Sequence, residues 1–123
     1  MKFLLASVAL LLASMGVVVA AEPISAQQVQ QNAQDYFVLD VRSEEEYHQG
    51  HVPGATNIAH SKIDSHAGLL PADPTTPMVL YCRSGRRAAL AAQKLEEMGY
   101  TKVFLMQGDM LGWQEQGFDV AYD

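Results

Sequence analysis

The chain predicts an α/β fold, a mainly parallel sheet covered by helices on both faces. Three observations carry that expectation. Apolar runs of strand length recur at residues 36–41 (YFVLDV), Met78–Tyr81 (MVLY) and Val103–Met106 (VFLM), and continuous apolar runs suit strands buried on both faces. Helix-start signals alternate with these runs. The last two runs are separated by a segment of helical period, which makes a βαβ unit.

Taken in order, Ile24 marks a marginal first strand. Ser25-Ala26-Gln27-Gln28 before Val29 reads as a capping box, in which a hydroxyl and a side-chain amide satisfy the free N–H groups of a helix start. The Gln-rich stretch at residues 27–34 is therefore expected to be helical. Residues 36–41 form the next strand. Ser43-Glu44-Glu45-Glu46 before Tyr47 is a second capping box, and its three carboxylates complement the positive end of a helix dipole. Val52-Pro53-Gly54 is a turn signal leading to a short strand at residues 56–59, and the alternation calls for a helix after it. A proline-rich loop at residues 71–77 leads into the MVLY strand. Residues 87–98 place Leu90, Ala91, Lys94, Leu95 and Met98 at helical spacing, with Gly99 as the stop. The VFLM strand and a closing helix complete the order.

The first 21 residues are expected to stand outside this fold. Lys2 precedes an apolar run at residues 3–19, followed by Ala20 and Ala21. A basic start, an apolar stretch and a small-residue exit are the pattern of a secretory signal peptide, and the run is short for a bilayer span of ~20 residues. The 123-residue chain less these 21 leaves 102, enough for one core at residues 22–123. Loss of Lys2 takes the net charge from −6 to −7, which disfavours a nucleic-acid partner. No stable membrane anchor is expected after cleavage, and the location expected is the periplasm of a Gram-negative source.

Against this acidic background, positive charge is concentrated at Cys82-Arg83-Ser84-Gly85-Arg86-Arg87. The chain holds one cysteine, so it cannot form an internal disulfide. Cys82 falls where a strand ends and a helix begins. A thiol there faces the free N–H groups and positive dipole end of the helix, together with three guanidinium groups, an environment that favours thiolate. Nucleophilic sulfur chemistry on a small anion is the reading, with Cys82 catalytic and Arg83, Ser84, Gly85, Arg86 and Arg87 binding substrate. No cofactor is implied. The four histidines, His48, His51, His60 and His66, lack a metal-ligand spacing, and His51 reads as structural within its turn. Asp40 and Arg42 read as a structural ion pair, and Trp113 as core packing. Arg87 has an alternative, pairing with a carboxylate in the body of the protein.

Three signatures in sequence order resemble the single-domain rhodanese (sulfurtransferase) family, particularly its small exported members. Asp40-Val41-Arg42 with Glu46-Tyr47 and residues 50–58 (GHVPGATNI) is similar to the early signature. Residues 82–87 (CRSGRR) are similar to the active-site loop, and Gly108, Trp113 and Gly117-Phe118 to the closing motif. The resemblance implies a five-stranded parallel sheet, a persulfide on Cys82, a small anionic sulfur donor such as thiosulfate, and cyanide or a thiol as acceptor. The arginine-rich loop resembles the thiosulfate class rather than the mercaptopyruvate class. Related phosphatases and arsenate reductases hold their oxyanion in a Cys-x5-Arg loop; the sixth residue after Cys82 is Ala88, so the chain fits the shorter sulfurtransferase loop. Many relatives carry Ser or Thr where this chain has Ala88. Two other functions share the loop: a noncatalytic sulfane-sulfur or anion carrier, and a redox module working with an external thiol.

Overall fold

The computed structural model describes residues 21–123. The expected leader therefore lies outside the described residues, apart from Ala21. The elements are β1 (Glu22–Ile24), α1 (Ala26–Gln31), β2 (Phe37–Asp40), α2 (Glu44–His48), β3 (Thr56–Asn57), β4 (Met78–Tyr81), α3 (Arg86–Glu97), β5 (Val103–Met106) and α4 (Asp109–Glu115). No helix among them is long and apolar enough to cross a membrane.

All strand pairings are parallel, in the order β1-β5-β4-β2-β3. β4 is central, and every one of its residues is buried, which is why its sequence carries no polar alternation. The side-chain period of two then sorts the core into two layers. Met78, Leu80 and Cys82 pack with Ala88, Ala91, Ala92 and Leu95 of α3. Val79 and Tyr81 face the other way, onto Val29 of α1 and Met110 and Trp113 of α4. Helices thus cover both faces, as expected. Connections leave β2 toward one edge of the sheet and β4 toward the other, so the carboxyl ends of these neighbours form the switch point where ligands bind in such sheets.

Several boundaries differ from the sequence expectation. The helix expected between β3 and β4 is instead two short 3₁₀ segments, His60–Lys62 and Asp64–Leu69, with His66 out of helical geometry. In this stretch only Ile63 and Leu70 are buried, too few apolar residues to define a helical face. The Gln-rich helix stops at Gln31, because Ala26 and Val29 are its only buried anchors. Asn32 leaves helical geometry, and Ala33–Asp35 continue as a 3₁₀ turn. Its capping box is half formed: Ser25 Oγ accepts from the Gln28 amide at 3.0 Å. The second box is complete, with Ser43 and Glu46 bonded in both directions. The strands at 36–41 and 56–59 narrow to β2 and β3, and the helix at 87–98 begins one residue earlier and has Met98 as its C-cap.

Candidate active site at the end of the central strand

Cys82 is the first residue beyond β4, and α3 starts four residues later at Arg86. The intervening turn closes because Gly85 takes φ +119°, a conformation that L side chains rarely adopt. Gly85 is also the N-cap of α3 and offers no side chain to the free amides. The Cys82 sulfur does this work instead. Sγ accepts from the Gly85 N–H at 3.0 Å and from the Ala88 N–H at 3.4 Å. Ala88 is the third residue of the helix, so the sulfur stands where a capping oxygen would. Two of the N–H groups that a helix start leaves free are thereby satisfied by sulfur.

Cys82 is only 1 % exposed, so the sulfur is set at the base of the loop rather than on its rim. Among the described residues, the amides of Ser84, Arg86 and Arg87 have no hydrogen-bond partner. They remain as backbone donors in the loop. Arg83, Ser84 and Arg86 are exposed, and neither of these arginines enters an ion pair among the described residues.

Arg87 differs from the other two. Its guanidinium forms a fork with Glu46 of α2, at 2.6 and 3.0 Å. The alternative open at sequence level, a carboxylate partner in the body of the protein, is therefore realised. The Arg87 hydrogen bonds, aided by those of the Ser43 backbone and hydroxyl, pull the Glu46 carboxyl down to about 2 against the effect of partial burial. Arg87 is correspondingly raised, first by its Glu46 hydrogen bonds. The fork ties α2 to the start of α3 across the mouth of the loop. Glu46, read from sequence as a capping residue and as part of the early signature, thus has a further role as the partner of Arg87.

The end of β2 supplies a buried frame for the same crevice. Asp40 is fully buried and accepts from Arg42 Nε and Nη2 and from the Arg42 amide, the shortest contact being 2.7 Å. Arg42 Nη2 also donates to the Gly50 carbonyl. Burial works against the Arg42 charge, and its bonds and attraction to Asp40 outweigh that and raise its pKa. Tyr81 donates to Asp40 Oδ2 at 2.6 Å and accepts from the Val52 amide at 3.0 Å. Its hydroxyl is pushed well above the usual phenol range by burial and then by the Asp40 charge. Asp40 and Arg42 are thus the structural pair expected.

His51 is likewise structural, buried and stacked on Tyr47 at 3.7 Å. Trp113 is buried, with Nε1 donating to the Asp119 carbonyl. A cleft of about 250 Å³ opens beside the loop, lined by Arg42, Glu46, Gln49 and Arg83 on one side and by Met110, Leu111 and Gln114 of α4 on the other.

One residue at the site escaped the sequence reading. Asp109, at the start of α4, is 8 % exposed and accepts the Cys82 amide on Oδ1 at 2.9 Å. Its only sequence signal was a position directly after Gly108 at a helix start.

Comparison with known proteins agrees with this arrangement. The family model described as Rhodanese-like domain matches residues 25–116. A sulfurtransferase of Allochromatium vinosum is 29% identical over 90 residues, which cover 73% of this chain and 82% of that protein. The thiosulfate sulfurtransferase PspE of Escherichia coli is 38% identical over 65 residues, covering 53% of this chain and 62% of PspE. The crystal structure of a rhodanese-related protein from Thermoplasma volcanium superposes with a TM-score of 0.75 at 27% identity, covering 83% of this chain and 99% of that one. With its parallel five-stranded sheet, its cysteine at the switch point and a domain match over most of its length, the chain belongs to the rhodanese-like family, whose members here include single-domain sulfurtransferases.

Proposed function

We propose that this protein is an exported sulfurtransferase that carries sulfane sulfur on Cys82. The observation that carries the reading is the position of Sγ, capped by the Gly85 and Ala88 amides at the head of α3. In the first half-reaction, the Cys82 thiolate attacks the outer sulfur of thiosulfate. A Cys82–S bond forms as the S–S bond of thiosulfate breaks, and the electron pair leaves with sulfite. In the second, cyanide or a thiolate attacks the terminal persulfide sulfur, and the electron pair of the Cys82–S bond returns to Sγ. Both states of the cysteine are anionic, so the same amide cradle serves each. The exposed Arg83 and Arg86 draw the dianionic donor toward the loop, while Ser84 and Gly85 contribute backbone shape and donors.

Export rests on the leader pattern at residues 1–21, and β1 begins at Glu22, immediately after the expected cut. The final location proposed is the periplasm.

The test is the intact mass of the protein before and after thiosulfate, followed by cyanide and an assay for thiocyanate. Gain of one sulfur atom at Cys82 with repeated thiocyanate release is the expected result. Gain without turnover would replace the enzyme with a sulfane-sulfur carrier. No gain would overturn both and leave a redox or anion-binding module.

A further inference from the structure

Asp109 is the one residue other than glycine that takes a positive φ among the described residues, at +53°. Asp is among the few L residues that tolerate this region, and its presence where glycine fits more easily calls for a side-chain reason. That reason lies in the Cys82 loop. Oδ1 accepts the Cys82 N–H at 2.9 Å, and a β-carbon on Gly85 would stand 3.3 Å from Oδ2. The next residue, Met110, donates its amide to the Cys82 carbonyl at 2.9 Å, and Leu111 donates to the Arg83 carbonyl at 3.4 Å. Both backbone groups of Cys82 are therefore held by residues 109 and 110, and the carboxylate lies against the glycine whose N–H meets Sγ.

We propose that Asp109 is a positioning residue: its carboxylate takes up the Cys82 amide and braces Gly85, and so fixes the turn that presents the Gly85 and Ala88 donors to the sulfur. Without it, the Cys82 N–H is a buried donor with no partner, and the turn is free to rotate toward one. Burial pushes the Asp109 carboxyl up, while hydrogen bonding from Cys82 opposes the rise. Oδ1 accepts from the Cys82 amide in either protonation state, so the side-chain amide of asparagine reproduces the contact.

The test compares Asp109→Asn, which keeps the acceptor, with Asp109→Gly, which removes it while fitting the φ angle. Three quantities are read: exchange of the Cys82 amide proton by NMR, the rate of iodoacetamide alkylation at the single cysteine, and kcat and KM with thiosulfate. Asp109→Asn keeps amide protection and an alkylation rate within about threefold of the parent. Asp109→Gly speeds Cys82 amide exchange on the order of 10-fold and shifts the alkylation rate, while its melting temperature is held by the relaxed backbone. The kinetic arm rests on the sulfurtransferase reading, and there Asp109→Gly lowers kcat on the order of 10-fold with KM nearly unchanged. Equal amide protection in Asp109→Gly and the parent would overturn the proposal, as would Asp109→Asn losing protection as fully as Asp109→Gly. Exchange and alkylation need no sulfur transfer, so absence of turnover would count against the proposed function and leave the role of Asp109 readable.

Discussion

Arg87 and Glu46, 41 positions apart in sequence, meet in a two-pronged ion pair, Nη1 to Oε1 at 2.6 Å and Nη2 to Oε2 at 3.0 Å. The contact joins the first turn of α2 to the first turn of α3, so two helix starts on opposite faces of the sheet are held in one relation beside the loop. Because Glu46 is also the third helical residue, the one that completes the capping box with Ser43, its carboxylate closes α2 and grips α3 at once.

Glu46→Gln removes the charge and the fork while leaving a side chain that can still cap. The pair is partly exposed, so the loss is about 1 kcal/mol at neutral pH. The sign with pH follows from a folded value depressed from 4.5 to about 2. The contribution is fully present above the unfolded value and is lost as pH falls from 4.5 toward 2. Urea denaturation of the two proteins at pH 7 and at pH 3 checks this: their midpoints differ clearly at the first and converge toward the second.

Cys82→Ser abolishes persulfide formation but leaves the helix start intact, since a serine hydroxyl is itself a good N-cap acceptor. The variant is expected to stay within about 1 kcal/mol of the parent in stability. Intact mass after thiosulfate shows no added sulfur, and chemical denaturation reports the small stability change. Sulfur transfer surviving in this variant would sink the persulfide mechanism.

Arg83→Ala and Arg86→Ala act on binding rather than on the fold. Both side chains are exposed and form no ion pair among the described residues. Each raises KM for thiosulfate roughly 3- to 10-fold at low salt with kcat little changed, and the difference from the parent shrinks as ionic strength rises. Steady-state kinetics across a salt series read the effect. A kcat loss with unchanged KM would place these arginines elsewhere in the reaction.

Asp40→Ala strikes the buried frame. It strands the Arg42 guanidinium and the Tyr81 hydroxyl, both of which point at Asp40. An unpaired buried charge of this kind costs about 3–5 kcal/mol. Tyr81→Phe, which removes one hydroxyl and leaves the ion pair, costs about 1–3 kcal/mol. Equilibrium unfolding ranks the two, and a larger loss for Tyr81→Phe would contradict the network described.

The fold was legible where burial alone writes the sequence. The MVLY strand is buried on both faces, so its four apolar residues needed no context. The CRSGRR turn was equally plain, because a glycine at φ +119° and a helix start leave a local signature. Residues 60–69 misled the alternation rule, because spacing between strands predicts a crossover but not whether it is helical. The partner of Arg87 and the role of Asp109 were hidden for a shared reason. Each depends on a contact between segments far apart in the chain, Glu46 with Arg87 and Asp109 with Cys82, and one sequence records no such pairing.

The strand order has a consequence for biosynthesis. Among the described residues, β1 at the amino end pairs only with β5, and β5 is the last strand to be made. A nascent chain that has reached residue 81 owns β2, β3 and β4 but has neither the neighbour that seats β1 nor the helix that covers one face of β4. The sheet therefore closes late, through contacts between its two extremes, and β1 has no seat until nearly all of the chain has been made.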